Sequence, residues 1–162
     1  MPVTHLRIDN RLVHGQVTVA WVGAIGVDHL IVTNDEVAKD ELQRLLLPQA
    51  ARGVRTSVLS VDDTLAHCPP GTDGERVMVI AKLPDDALRL VEGGLQPAEI
   101  NVGNQAPRPG ARFTMVGRSI AVTAEDAETY RRIAGKGFAL DCRLMPTDRS
   151  QDFLHLLTKK KL

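Results

Sequence analysis

The sequence predicts an α/β fold, with one open, mainly parallel, doubly wound sheet flanked by helices in a single domain spanning residues 1–162. Three observations carry this. Strand-length apolar runs alternate with helical segments four or five times along the chain, the rhythm of βα units and parallel pairing. The run Arg76-Val77-Met78-Val79-Ile80-Ala81 is almost continuously apolar, as in a strand covered on both faces. A length of 162 residues fits one domain with a substantial core.

Val3, His5 and Arg7 alternate with Thr4, Leu6 and Ile8 in a first strand, and from Gly15 the apolar residues thicken into a helix ending near Gly26. His29–Thr33 reads as a buried second strand. Asn34 is placed to cap a helix with an acidic first turn at Asp35 and Glu36, whose face Ala38, Leu42, Leu45 and Leu46 is expected to point inward before Pro48 disturbs it. Val54–Leu59 forms a third strand. Ser60-Val61-Asp62-Asp63 resembles a capping box and opens a short helix that closes before Pro69-Pro70, followed by a turn at Gly71-Thr72-Asp73-Gly74.

Arg76–Ala81 should sit beside the first strand. Pro84 fits a first helical turn, and Leu88 and Val91 supply a stripe that Gly93-Gly94 ends. From Ala98 the rhythm becomes irregular: Glu99–Val102 and Arg112–Met115 flank a Pro/Gly-rich loop, Ser119–Val122 adds a short strand, and the segment reads as an irregular edge. Thr123 opens a helix carrying Ala127, Tyr130 and Ile133. Phe138–Leu144 is the expected last strand, before a terminal helix from about Ser150 with Phe153, Leu156 and Leu157 inward.

Composition excludes several functions. With 43% hydrophobic and 25% charged residues and zero net charge, the chain offers no global field for nucleic acid, and five aromatics make a poor stacking platform. Cys68 and Cys142 stand far apart without a Cys-x-x-Cys pair, and His67 beside Cys68 has no further ligands at matching spacing, so no metal is expected. Neither a membrane-spanning run nor a leader is evident, and Lys159–Lys161 reads as a solvated terminus. Gly-x-Gly-x-x-Gly is missing after the first strand, which argues against a dinucleotide.

The chemistry concentrates in Leu6–Gln16, which joins the first strand to the first helix. This turn lies at the carboxyl edge of the sheet, where helix amino termini offer unpaired N–H groups and a positive dipole end to an anion. Arg11 adds a guanidinium fork, and Gly15 permits close backbone approach. Beside these positive groups His14 should stay neutral, hence nucleophilic, and its phosphorylated form would be stabilised by the same groups. Asp9 is placed to hydrogen-bond either the ring or Arg11. A histidine phosphatase is disfavoured, because Arg11 and His14 are separated by Leu12 and Val13 and no second histidine completes such a site.

The run Arg7-Ile8-Asp9-Asn10-Arg11-Leu12-Val13-His14-Gly15-Gln16-Val17, followed by Trp21, resembles the amino-terminal signature of the IIB components of the mannose/fructose/sorbose family of the bacterial sugar phosphotransferase system. The likeness continues through Asn34–Ala38, Leu59–Asp63, Leu88–Gly94 and Ile100–Gly103. It implies one IIB-type domain over 1–162, with the first strand central and His14 at the topological switch point. In that family the loop histidine is phosphorylated, which implies His14 here, supported by Arg11 and Asp9. Asn10, Gly15 and Gln16 would bind the phosphoryl group, and Asn34, Asp35 and Lys82 would lie on the rim or at a docking face. Implied partners are a phosphohistidine IIA protein or domain and membrane IIC/IID permease chains, with no cofactor, no required metal and no nucleic acid; homodimer formation is left open. The implied location is cytoplasmic, transiently at the inner face of the membrane. A regulatory module that keeps the phosphorylation without transport is the alternative. Two departures from the family pattern stand out: Asn10 replaces a second aspartate common in relatives, and Asn104-Gln105 replaces the Gly-Met that commonly follows Asn-x-Gly.

Overall fold

In the computed structural model, which describes residues 3–68 and 74–162, a seven-stranded sheet has the order β3-β2-β4-β1-β5-β8-β9. Its strands are β1 (Val3–Asp9), β2 (His29–Thr33), β3 (Arg55–Leu59), β4 (Val77–Ala81), β5 (Ile100–Asn104), β8 (Leu140–Cys142) and β9 (Gln151–Asp152); β6 (Thr114–Val116) and β7 (Ile120–Val122) form a separate hairpin. The helices are α1 (Gly15–Ile25), α2 (Asp35–Lys39), α3 (Glu41–Ala50), α4 (Val61–His67), α5 (Pro84–Glu92), α6 (Ala124–Gly135) and α7 (Phe153–Lys159). All pairings in the large sheet are parallel except β8 with β9.

The sheet separates two apolar clusters. Leu6, Ile8, Ile31, Val79 and Val102 pack with Val61 of α4 and with α5, α6 and α7, where Leu90, Tyr130 and Phe153 are fully buried. On the opposite face Leu30, Val32, Met78 and Ile80 pack with Trp21 of α1 and Val37 of α2. The chain leaves β1 toward β2 and β3, returns to β4, and leaves β4 toward β5 on the other side of β1. Crossovers therefore diverge between neighbours β1 and β4, which puts the β1–α1 turn at the switch point, where a crevice opens at the carboxyl edge.

Several local expectations hold. Asn34 Oδ1 accepts from the N–H groups of Glu36 and Val37, Ser60 Oγ from that of Asp63, and Thr123 with Asp126 forms a complete capping box. The helix after Asn34 differs. Asp40 ends α2 and caps α3 by accepting from Leu42 and Gln43 N–H, so one expected helix becomes two, and Leu42, Leu45 and Leu46 face solvent instead of the core. Pro48 lies within α3, near its end.

The region after Ala98 also differs. β5 is an interior strand beside β1, and the irregularity belongs to the β6–β7 hairpin; the sheet edges are β3 and β9. The last strand shortens to Leu140–Cys142 and gains an antiparallel partner. Phe153 and Leu157 are buried, whereas Leu156 is half-buried. The expected turn at 71–74 lies outside the described residues apart from Gly74.

Candidate active site

The site grows out of the polar edge of β1. His5, Arg7 and Asp9, two residues apart, are all at most 2% exposed. They lie on the side of the sheet covered by Trp21, while Leu6 and Ile8 enter the opposite core. A register shift between Val3 and His5 lets Val3 join Leu6 and Ile8 despite its odd-numbered position.

Asp9 is the junction. It accepts from Arg7 Nε and Nη2 at 3.3 and 3.1 Å, from the Arg11 backbone N–H at 3.0 Å, and from Arg11 Nε and Nη2, each at 3.3 Å. One carboxylate thus aligns two guanidinium groups, a buried one behind it and a half-exposed one in front. Arg7 is saturated on its remaining sides: Nη1 donates to Asn101 Oδ1 and to the Arg143 carbonyl at 3.2 Å, and Nη2 donates to the Leu144 carbonyl at 3.1 Å. Its guanidinium lies 5.2 Å from the Trp21 ring centroid, and Trp21 Nε1 donates to the Leu144 carbonyl at 2.8 Å. Gly103 floors this arrangement, because a Cβ there would come within 2.2 Å of Arg7 Cζ.

His14 is the N-cap residue of α1 and makes no side-chain capping bond; its N–H donates instead to Thr18 Oγ1 at 3.0 Å. The ring points back along the turn. Nδ1 lies 3.1 Å from the Leu12 carbonyl oxygen, and Nε2 is closed off from solvent, 3.9 Å from Asp9 Oδ2. Burial lowers the pKa of this ring, opposed by Asp9 and by the Leu12 carbonyl and reinforced by Arg11 and Arg7. The shift is in the direction expected from the sequence, toward the neutral ring, but desolvation outweighs the arginines in producing it. The turn holds two left-handed residues, Leu12 at φ 63° and Gly15 at φ 48°; for Leu12 this is a strained conformation, kept by burial of its side chain.

The other expected site residues take different places. Gln16 is exposed in the first turn of α1. Asn10 reaches sideways: its Oδ1 lies 2.8 Å from the Asn104 side-chain amide and accepts from Ala106 N–H at 3.1 Å, tying the turn to the end of β5. The two departures from the family pattern are thus in contact. Asn34 turns inward, with Nδ2 donating to Asp86 Oδ2 at 2.8 Å, and Asp35 accepts from Val61 N–H and Arg89 Nη1, so both tie helices together. Lys82 is half-buried at the end of β4, with its carbonyl accepting from Gln105 Nε2. Sequence reasoning gave no role to Arg7, Asn101, Gly103 or Trp21, although the polar residue at every second position of a central strand was a visible signal.

Fold and site together define an open α/β domain with a loop histidine beside a buried carboxylate, an arginine and a helix amino terminus, at the switch point of the sheet. The sequence profile of the family described as "PTS system sorbose subfamily IIB component" matches residues 3–162, and the chain belongs to that family. It is 37% identical over 155 residues to the "PTS system mannose-specific EIIAB component" of Escherichia coli (strain K12), covering 94% of this chain but 47% of that protein. The chain thus spans about half the length of that relative. The "PTS system sorbose-specific EIIB component" of Klebsiella pneumoniae is 36% identical over 157 residues, 95% of this chain and 94% of the relative. The crystal structure of the IIBSor domain of the Klebsiella pneumoniae sorbose permease superposes with a TM-score of 0.90 at 34% identity, covering 98% of each chain.

Proposed function

We propose that this IIB component is a phosphocarrier in which His14 accepts a phosphoryl group from a phosphohistidine on a IIA protein or domain and passes it to a sugar held by membrane IIC/IID partners. The observation that carries this reading is the geometry of the His14 ring, at the amino end of α1, beside the Asp9 carboxylate that also holds Arg11; burial, which lowers its pKa, favours the neutral, nucleophilic form. In the forward step a lone pair of the His14 ring forms the new N–P bond as the donor's N–P bond breaks, and the donor imidazole keeps the released electron pair. Burial of Nε2 beside Asp9 favours Nδ1 as the attacking atom, with Nε2–H turned toward the carboxylate and the Leu12 contact given up. Arg11 and the amides of Gly15 and Gln16 then face the equatorial oxygens. Donor and acceptor are both imidazoles, so transfer is nearly balanced and depends on positioning and charge.

The IIA linkage is supported by the mannose relative, whose name joins A and B components. A donor and an acceptor must reach the same ring in turn, at a face where Arg11, Lys82 and Asp35 contribute charge and Asn34 fixes the α2 turn. No helix among the described residues is long and apolar enough to cross a membrane, so delivery to a membrane permease would be by docking at its cytoplasmic side. The relatives are named as mannose-, sorbose- and fructose-specific PTS components, and a component assigned to one sugar supports a role in handling that sugar over a purely regulatory one.

Incubation with a phosphorylated cognate IIA, followed by intact mass and site mapping, tests this reading. One acid-labile phosphoryl group on His14 is expected, absent in His14→Ala. Phosphate on His5, His29, His67 or His155 instead would overturn the assignment.

A further inference from the structure

Helix α3 carries apolar side chains on both sides, Leu47 and Ala50 against the core and three leucines toward solvent. None of its ten residues is buried. Gln43, Leu47 and Ala50 form its half-buried side, while Leu42, Leu45 and Leu46 are 62%, 61% and 49% exposed. With Gln49 they make an i, i+3, i+4, i+7 stripe, and the three leucines together present roughly 300 Å² of exposed surface, within the range of the largest apolar patch on a typical monomer, which is often functional. The stripe is bounded by opposite charges: Glu41 in the first turn and Arg52 just beyond the end, both exposed and without a side-chain hydrogen bond or ion pair among the described residues.

We propose that this stripe is a self-association surface on which α3 of a second copy packs antiparallel about a twofold axis, with Leu45 facing its own counterpart. A second copy fits the stripe because the stripe is self-complementary. An antiparallel pair brings Glu41 of each helix toward Arg52 of the other and opposes the two helix dipoles, whereas a parallel pair would set like charges together. Leu42 then falls near the counterpart of Gln49, and the leucines close over one another. One short helix pair buries less than the roughly 1,200 Å² typical of stable complexes, so the dimer is weak and exchanges quickly. None of these residues belongs to the Asp9–His14 site, and the inference does not rest on the proposed function.

Sedimentation equilibrium from about 10 μM to about 1 mM should show the wild-type mass average rising toward the dimer, and Leu45→Glu remaining monomeric with an unchanged circular dichroism spectrum. Under mild oxidation Leu45→Cys should cross-link to itself at least tenfold faster than Leu42→Cys, with wild-type protein as the control for Cys68 and Cys142. A wild-type monomer throughout the range would overturn the proposal. So would a Leu45→Glu variant that dimerises like wild type, or equal cross-linking at positions 42 and 45.

Discussion

The two faces of β1 share one backbone and do opposite work. Leu6 and Ile8 enter a cluster of aliphatic and aromatic side chains under α5, α6 and α7, where burial of apolar area is the whole contribution. His5, Arg7 and Asp9, interleaved with them, enter an equally buried layer that is polar and charged, with Trp21 as its lid. A buried charge is costly unless every donor and acceptor is paired. Here Arg7 is met by Asp9, Asn101 and two loop carbonyls, so the layer is closed around the guanidinium, and Asp9 carries it on toward Arg11 and His14. The site is therefore supported from behind, through the sheet, and not by the loop alone.

Paired substitutions across the strand would break that comparison most sharply. Arg7→Met keeps length and apolar bulk but leaves the buried Asp9 carboxylate to Arg11 alone and removes the Arg7 donors from Asn101 and the 143–144 carbonyls, a loss of about 3–5 kcal/mol. Ile8→Ala, on the other face, should cost about 2–5 kcal/mol through its cavity. Chemical denaturation should therefore find the two variants similarly weakened, while phosphoryl transfer per folded molecule falls at least tenfold in Arg7→Met alone. Equal transfer in both would mean that the polar face contributes only stability.

Asp9 and Arg11 sharpen the distinction between the inner and outer members of the layer. Asp9 has no exposed surface and serves two arginines, so Asp9→Asn leaves Arg7 buried beside a neutral amide and should lower both stability, by about 3 kcal/mol, and transfer. Burial between two guanidinium groups makes Asp9 part of the fold as well as of the site. Arg11 is 37% exposed at its side chain. Arg11→Lys keeps the charge and loses the fork, so unfolding should shift by less than about 0.5 kcal/mol while rapid-quench transfer slows by about one to two decades. Wild-type rates in Arg11→Lys would remove the guanidinium from the transfer step.

What the sequence made legible follows from how local the information was. The turn Asp9–Gln16 is contiguous, and β4 announces its interior place by an uninterrupted apolar run, so the turn and the β1–β4 pairing were both foreseen. Arg7 depends on Asn101, Gly103 and Leu144, far along the chain, and no local pattern specifies that meeting. The α3 leucines show a further limit: helical spacing says which residues share a face but not whether that face meets the sheet. Here Asp40, followed at the third position by Gln43, restarts the helix and turns the stripe outward. The Asn10–Asn104 contact was beyond local reading too, although each residue had stood out as a departure from the family pattern.

The remaining expected effect concerns protons on the polar face and is read as a slope of stability against pH. His5 is buried against Trp21, with ring centroids 4.8 Å apart, and its Nε2 finds no partner among the described residues. Burial, then Arg7 and Arg143, push its pKa from 6.5 down to about 4, against a smaller opposing pull from Asp141. The unfolded chain therefore binds a proton near pH 6.5 that the folded chain refuses until about pH 4. Between those values the unfolded state holds more protons, so stability rises with pH through this window and is flat above it with respect to His5. The full span is worth on the order of 3 kcal/mol, and the lowered pKa values of His14 and His29 add in the same direction. His5→Phe preserves a ring against Trp21 and removes the unpaired nitrogen. Urea unfolding at half-unit steps from pH 4.5 to 7.5 should show a shallower acid slope in this variant than in wild type, with phosphoryl transfer at pH 7.5 retained. An unchanged slope would place the acid sensitivity in the other histidines and reduce His5 to a packing residue beneath Trp21.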